Sequence, residues 1–492
     1  MVEATRIKVL RDEPPRRGGR FVHYWMQQAM RAEGNPALDH AIAVADELGL
    51  PVVVSFGLTG ARSPAYPDAK ARHYAFLLQG LSEVSRTLAS RGICFVIRMG
   101  APDEVTLRIS EDAAVLVCDR GYLRPQRTWQ ARVKAEAGCR MIEVETDSVV
   151  PIEVASGKHE VGARTLRPKI GRVLDTYLVP PPASPNPRHR ADGLQLASDI
   201  DLAEPLALLG HLNLDGNVGP VRRFTGGLSA ARARLRAFVD GGLDRYKETR
   251  GAPERATVSH LSPYLHFGQI SPVEIALAVR DQVRAPAEDR DAYVEELVVR
   301  RELAHNHCWY DGGYDRYETV PAWARKSLDE HRNDPRPYIY SKDQLAAGET
   351  HDRYWNTAMR EMRETGYMHN RMRMYWGKKI VEWSPSPEEA FATTLSLNNT
   401  YFIDGRDANS FTNVAWLFGL HDRPWFGRPV FGIVRYMGEN TFRKFDAEAY
   451  VRSVDQLTSA ERDGDDEPDS GSGPARKRAR AGTKRKLAPE HA

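Results

Sequence analysis

The stretch 368–376, MHNRMRMYW, gathers basic, amide, thioether and indole groups on one run with helical spacing. At about 100° per residue, Asn370 and Met374 share a face, while Arg373 and Trp376 share an adjacent one. A plain core helix would not carry Arg371 and Arg373 among its packing residues without buried partners. Candidate partners follow in 402–409, FIDGRDAN, where Asp404, Arg406 and Asp407 flank a glycine. These acids either cap the next helix or form a charge-rich clamp against a polar cofactor. Upstream, 258–269 reads VSHLSPYLHFGQ, with Ser259 and Ser262 ahead of Pro263 at a helix start. Such a start turns backbone N–H groups toward a phosphate, although Ser-Pro starts are common in helices that bind nothing. Seven of the nine tryptophans (Trp309, Trp323, Trp355, Trp376, Trp383, Trp416 and Trp425) lie in the same half of the chain. Each alone reads as core. No hydrolase triad and no metal-ligand cluster accompanies them, so no metal is expected.

The elements that must hold these groups follow from periodicity. Short β-branched runs at 7–10, 51–58, 93–98, 114–118 and 141–144 read as buried strands. Amphipathic segments at 36–48, 68–90, 102–111 and 125–137 alternate with them, with Pro36, Pro102 and Pro125 near their starts. This alternation predicts an α/β domain over 1–150, a doubly wound, Rossmann-like parallel sheet. No G-x-G-x-x-G follows the first strand, so a dinucleotide in the usual crevice is not indicated. Residues 151–225 read as a connector that contains VPPPASPNP (179–187) and wraps over the surface. From 226 to 459 the pattern is helical, at 229–239, 272–283, 290–309, 350–364, 369–383, 387–396 and 446–454, giving a larger all-α domain. The segment 460–492 reads as a disordered tail, with six acids in 461–469 and seven bases in 476–486.

Composition sets the outer limits. At 492 residues, 41% hydrophobic and 27% charged, the chain is neither a disordered, a collagen-like nor a coiled-coil protein. Its formal net charge of +3 does not announce a nucleic-acid partner, so any basic surface must be local. Cys94, Cys118, Cys139 and Cys308 are scattered, which argues against a disulfide framework. No apolar run approaches the ~20 residues of a spanning helix, and 1–15 has no apolar signal core. The expectation is a soluble, intracellular protein with no membrane partner.

Taken in order along the chain, the motifs are very specific. RFVHYWMQQAMR (20–31), SPYLHFGQ (262–269), RRELAHN (300–306), RNDPRPYIY (332–340), YFIDGRD (401–407) and GLHDRPW (419–425) resemble the photolyase/cryptochrome flavoproteins. The resemblance is greatest to the class II cyclobutane-pyrimidine-dimer (CPD) photolyases, and it covers about 8–454. It implies a folded FAD, reduced and anionic in its active form, inside the helical domain. Tyr246 and Val258, Ser259, His260, Leu261 and Ser262 would hold its diphosphate and ribityl side, with only a backbone contact at Val258. Arg373, Asp404 and Asp407 would surround the isoalloxazine, and Asn398 would approach its reactive edge. A reduced anionic flavin calls for nearby positive charge, which Arg373 supplies.

The resemblance also implies the reaction. One electron from the excited reduced flavin enters a pyrimidine dimer flipped out of DNA, the cyclobutane ring splits and the electron returns. Flipping costs a few kcal/mol, which stacking can offset by about 1–3 kcal/mol per base. Glu302, Met374, Trp416 and Trp425 match lesion-contacting groups, with Asn370, Asp422 and Arg423 beside them; a helix-surface salt bridge with Arg300 or Arg301 is the other reading of Glu302. Asn370 departs from the class II HGY pattern. Trp376, Trp355 and Trp383 match the electron-transfer tryptophans, and Arg443 and Lys444 would add phosphate contacts. A deazaflavin or folate antenna could occupy the α/β domain, although nothing in 8–150 identifies one. The implied enzyme is a deoxyribodipyrimidine photo-lyase working as a monomer on damaged DNA, cytoplasmic, or nuclear if the basic tail directs import. A cryptochrome-like blue-light receptor and a non-enzymatic DNA-binding relic are the competing readings.

Overall fold

The computed structural model describes residues 2–60, 63–214, 216–255 and 257–463. Its N-terminal part is a six-stranded sheet in the order β1-β6-β5-β2-β3-β4. The strands are β1 Ile7–Arg11, β2 Phe21–Trp25, β3 Val52–Leu58, β4 Cys94–Met99, β5 Ala113–Asp119 and β6 Arg140–Val144. Strands β2 to β6 pair in parallel, and β1 closes one edge antiparallel to β6. Helices Pro36–Leu48, Ala71–Ser90, Pro102–Ser110 and Arg124–Glu136 make the crossovers, which is the doubly wound α/β layer the alternation predicts.

Two details differ from the sequence reading. No strand is expected at 21–25, yet β2 is central and wholly buried. Its polar centre hides the apolar run: His23 bonds Ser110 Oγ at 2.9 Å and Ser55 Oγ at 2.6 Å. Burial lowers its pKa to about 3, so it sits in the sheet as a neutral ring. The 151–225 segment is also more than a strap. Helix Ala163–Tyr177 buries Leu166 and Ile170 against the main core, whereas the proline-rich 179–187 has no regular structure, as expected.

From Leu228–Ala237 to Ala447–Asp463 the regular elements are helices, and one apolar core runs from the sheet into those near Leu228–Ile275. Arg72, on the helix after β3, donates to the carbonyls of Met362, Arg363 and Tyr401. Those carbonyls lie at two helix C-termini, where a cation is favoured. The expected tail start at 460 falls inside the helix Ala447–Asp463. That helix is held because Glu461 accepts both the Arg222 and Arg223 N–H at 2.7 Å, while Arg462 pairs with Glu364. The charge blocks beyond 463 lie outside the described residues.

Candidate flavin and DNA-lesion site

The helix Asn370–Trp383 begins where His369 Nδ1 accepts the Arg371 N–H at 3.2 Å. One turn in, Arg373 grips Asp404 with two parallel bonds of 3.1 Å, the bidentate geometry that makes such pairs strong. Its Nε donates to Met368 O, and its guanidinium lies 3.9 Å from the Phe402 ring centre. Asp404 stands in the turn after helix Pro387–Tyr401. A Cβ on Gly405 would come within 2.8–2.9 Å of the Asn398 carbonyl, the Asn399 Cα and the Phe402 carbonyl, so only glycine fits there. Asn399 ties the turn together, because its Oδ1 accepts from Asn398 Nδ2 and from the Arg406 N–H. Sequence reading singled out Asn398 and passed over this hub.

The 258–262 loop lies beside the same helix start. Tyr246 is buried against Phe238 and Tyr293, and Tyr293 donates to Ser259 Oγ at 3.0 Å. Val258 packs on the core edge, Leu261 is buried, and Ser262 is exposed at the head of the five-residue helix Ser262–His266. His260 has φ 52° and its ring lies edge-on to Tyr367 at 4.7 Å. Burial, then Arg223 and Arg234, lowers its pKa to about 3; burial, then Arg371 and Arg373, lowers that of His369 to about 4. Glu254 Oε2, Thr257 Oγ1, His260 Nδ1 and His369 Nε2 are buried without a partner. Unpaired buried polar atoms are rare in folded proteins. Collected among arginines, they fit a polar, anionic group such as FAD.

The indoles form a chain. Trp355, from helix Arg353–Thr365, sits between the other two. Its ring stacks on Trp376 at 6.4 Å and 14° and meets Trp383 edge-on at 5.6 Å, and its Nε1 donates to the Trp376 carbonyl. All three are buried. Trp376 reaches the Phe402 ring at 6.3 Å, so the chain ends against the ring beneath Arg373.

A second group gathers on the outer side. Asn370 is exposed and Met374 half-buried one turn on. A Cβ on Gly377 would strike the Leu417 side chain at 2.3 Å, so this helix packs closely on helix Ala408–Leu417, which carries Trp416. Trp425 Nε1 donates to Asp422 Oδ1 at 3.3 Å. Arg435 stands 4.3 Å from the Trp425 ring, 5.5 Å from Trp416 and 3.9 Å from Asp422, which links the two indoles. Arg423 lies over Trp425 at 5.3 Å, and Arg443 and Lys444 are exposed. Buried Lys378, 5.4 Å from Trp416, is lowered to about 7 by desolvation. Phe426 is 92% exposed, one residue past the GLHDRPW motif. Arg435, Lys378 and Phe426 carry no signal of their own in the sequence.

Glu302 and Asp407 take a third position, at the seam between sheet and helices. The Glu302 salt bridges that were the other reading do not form: Arg300 pairs with Glu295 and Arg301 with Asp147. Instead Glu302 Oε1 accepts the Val149 and Val150 N–H at 2.6 and 3.1 Å, while Oε2 is buried with no partner. Burial raises its pKa to about 8, which makes it a neutral acid with one unused oxygen. Asp407 does not stand with Asp404 at Arg373. Its turn directs it toward His266, 3.8 Å away, and onto the wall of a cavity. That cavity opens at the C-terminal ends of β2 and β3 between sheet and helices, and Tyr66, Trp129, Tyr122, His305 and Arg406 also line it. The strand order reverses between β5 and β2, and ligand sites in open α/β sheets favour such points.

Residues 22–187 match the DNA photolyase family. The deoxyribodipyrimidine photo-lyase of Methanothermobacter thermautotrophicus is 41% identical over 456 residues, which is 92% of this chain and 99% of that protein. That of Oryza sativa subsp. japonica is 38% identical over 94% of this chain and 93% of its own length. Among solved structures, an archaeal photolyase from Sulfolobus tokodaii with two FAD molecules superposes with a TM-score of 0.66 at 16% identity, covering 90% of this chain and 93% of that one.

Proposed function

This chain belongs to the DNA photolyase family and is a light-dependent DNA repair enzyme, and from that premise we propose that it splits cyclobutane pyrimidine dimers flipped out of DNA. FAD held by Arg373, Asp404, Asn398, Tyr246 and 258–262 supplies, when reduced and excited by light, the single electron that opens the ring. The observation that carries this reading is the continuous path Trp383–Trp355–Trp376–Phe402–Arg373, whose inner end lies on the helix that starts beside the unpartnered polar atoms of His260 and His369.

Each group has a task. Arg373 holds positive charge where the cofactor's negative charge sits, and Asp404 fixes its direction. The three indoles deliver electrons inward from Trp383. Trp416, Trp425 and Met374 would pack against the flipped lesion, Arg423, Arg443 and Lys444 would meet phosphates, and Asn370 would meet the lesion edge. Glu302 presents its Oε2 proton as a hydrogen-bond donor to the pyrimidine edge. The cavity beside Trp129 and Asp407, with its aromatic walls and Arg406, would hold a second, light-harvesting chromophore with a flat, polar ring system. One chain supplies all these groups, so the protein acts as a monomer.

The test is direct. Purified protein with fully reduced FAD is illuminated with DNA that carries a dimer, and the intact pyrimidines are counted. Restoration under light but not in the dark is expected, and no restoration in the light overturns the reading.

A further inference from the structure

The sequence gives no metal-ligand spacing, yet the fold brings three distant histidines together. His159 comes from the 151–225 segment, His307 from helix Arg301–Tyr310 and His421 from the GLHDRPW loop. One ring nitrogen of each lies within 4.8 Å of the others. Their ring centres are 5.2, 5.7 and 6.2 Å apart. We propose that His159, His307 and His421 bind a divalent transition metal, best matched by Zn²⁺, which clamps the 419–425 loop to the seam.

The hydrogen bonds around the cluster fix which nitrogens are available. Thr319 Oγ1 donates its one proton to Asp311 Oδ2 at 2.5 Å, so toward His307 Nε2, 3.3 Å away, it can only accept. His307 therefore carries its proton on Nε2 and presents the Nδ1 lone pair, which faces His159 Nε2 at 3.1 Å. A His–Thr–Asp relay of this kind is the outer-shell support that metal-bound histidines use. His421 Nε2 is buried with no partner of its own. A plain His159–His307 hydrogen bond would leave that Nε2 orphaned, whereas a metal satisfies all three nitrogens.

The frame is rigid. Asn306 bonds the Lys158 carbonyl and the Glu160 N–H, which pins the backbone on both sides of His159. His421 sits at φ 59°, a conformation that a packed loop must enforce. Tetrahedral M–N bonds of about 2.0–2.1 Å place donors roughly 3.3 Å apart, so ring tilts of about an ångström complete the set. His159 is exposed, which gives the ion an entry path and leaves the fourth position to water. Imidazole donors suit Zn²⁺ and, by the usual affinity order, also Cu²⁺ and Ni²⁺.

The experiment uses the full, untagged chain after chelation, titrated with Zn²⁺ by calorimetry and with Co²⁺ by visible absorbance. One equivalent should bind, Co²⁺ should show the intense bands of a tetrahedral site, and Zn²⁺ should raise the Tm. His159→Ala, an exposed change that leaves the fold intact, should weaken Zn²⁺ binding at least tenfold, about 1.4 kcal/mol, and abolish the Tm shift. Thr319→Val should weaken it about tenfold through the outer shell. Equal binding by wild type and His159→Ala, or Co²⁺ spectra without tetrahedral bands, overturns the site.

Discussion

Behind β6, every carboxylate oxygen of Glu143 and Glu145 is used. Arg120 donates to both acids at 2.7 and 2.9 Å, Gln130 takes the other Glu143 oxygen, and Tyr122, Ser148 and the Ile152 N–H complete Glu145. Around 254–260 the residues are only partly buried and the pairing is incomplete: buried polar atoms of Glu254 and His260, and of His369 beside them, have no partner, and across the seam Glu302 uses one oxygen of two. The first region has only to hold sheet and helices together, so the protein satisfies it alone. The second is left for a ligand to finish.

The contrast breaks most easily at Arg120. Arg120→Met would leave two buried carboxylates facing each other, a loss of about 3–5 kcal/mol. Denaturant unfolding should show that loss, while flavin bound per folded molecule stays unchanged. A cost below about 1 kcal/mol would mean that the satisfied region does not hold the fold. On the other side, Arg373→Leu removes charge-assisted bonds worth roughly 1.5–3 kcal/mol each to a bound anion. The purified variant should lack flavin absorbance and repair, and because it also leaves the buried Asp404 carboxylate unpaired, the flavin-free protein should lose stability as well. Retained flavin would place the cofactor elsewhere.

Much of this was legible in the sequence, for reasons that differ by residue. Strands β3, β5 and β6 announce themselves as β-branched runs, and Pro36 and Pro102 mark helix starts whose termini the structure reproduces. β2 escaped because His23 interrupts its apolar pattern, and only Ser55 and Ser110, 32 and 87 residues away, make that histidine acceptable. The Arg373–Asp404 pair was legible as a basic helix in need of an acid. Trp355 enters beside Trp376 and Trp383 only through the family resemblance, because local spacing says nothing of an indole that a neighbouring helix supplies. Arg435, Asn399 and the three-histidine cluster depend wholly on long-range contacts, which no local pattern encodes.

Trp355→Phe sharpens the same contrast with an effect confined to one step. It removes the middle indole while keeping an aromatic ring in a fully buried slot. Photoreduction of oxidised flavin should fail, whereas repair by chemically pre-reduced protein should continue. Unchanged photoreduction would show that electrons reach the flavin by another path.

The smallest expected effect on repair concerns the proton on Glu302. Its ordinary value is 4.5 and burial raises it to about 8, so between these limits the folded chain holds one proton more than the unfolded chain. The stability that this proton supplies is fully present below about 4.5 and declines as pH rises through about 8, by at most about 1.4 kcal/mol per pH unit. If Oε2–H donates to the pyrimidine, repair by pre-reduced enzyme should also fall a few-fold above about pH 8. Glu302→Gln keeps a donor that cannot ionise, so both slopes should flatten while flavin content stays constant. A wild-type repair profile that stays level through pH 8, or flavin lost from Glu302→Gln, would return Glu302 to the seam as a tie for Val149 and Val150 alone. The orphaned oxygen argues against that outcome, since a group kept only for two backbone N–H bonds has no need to bury a second polar atom unpaired.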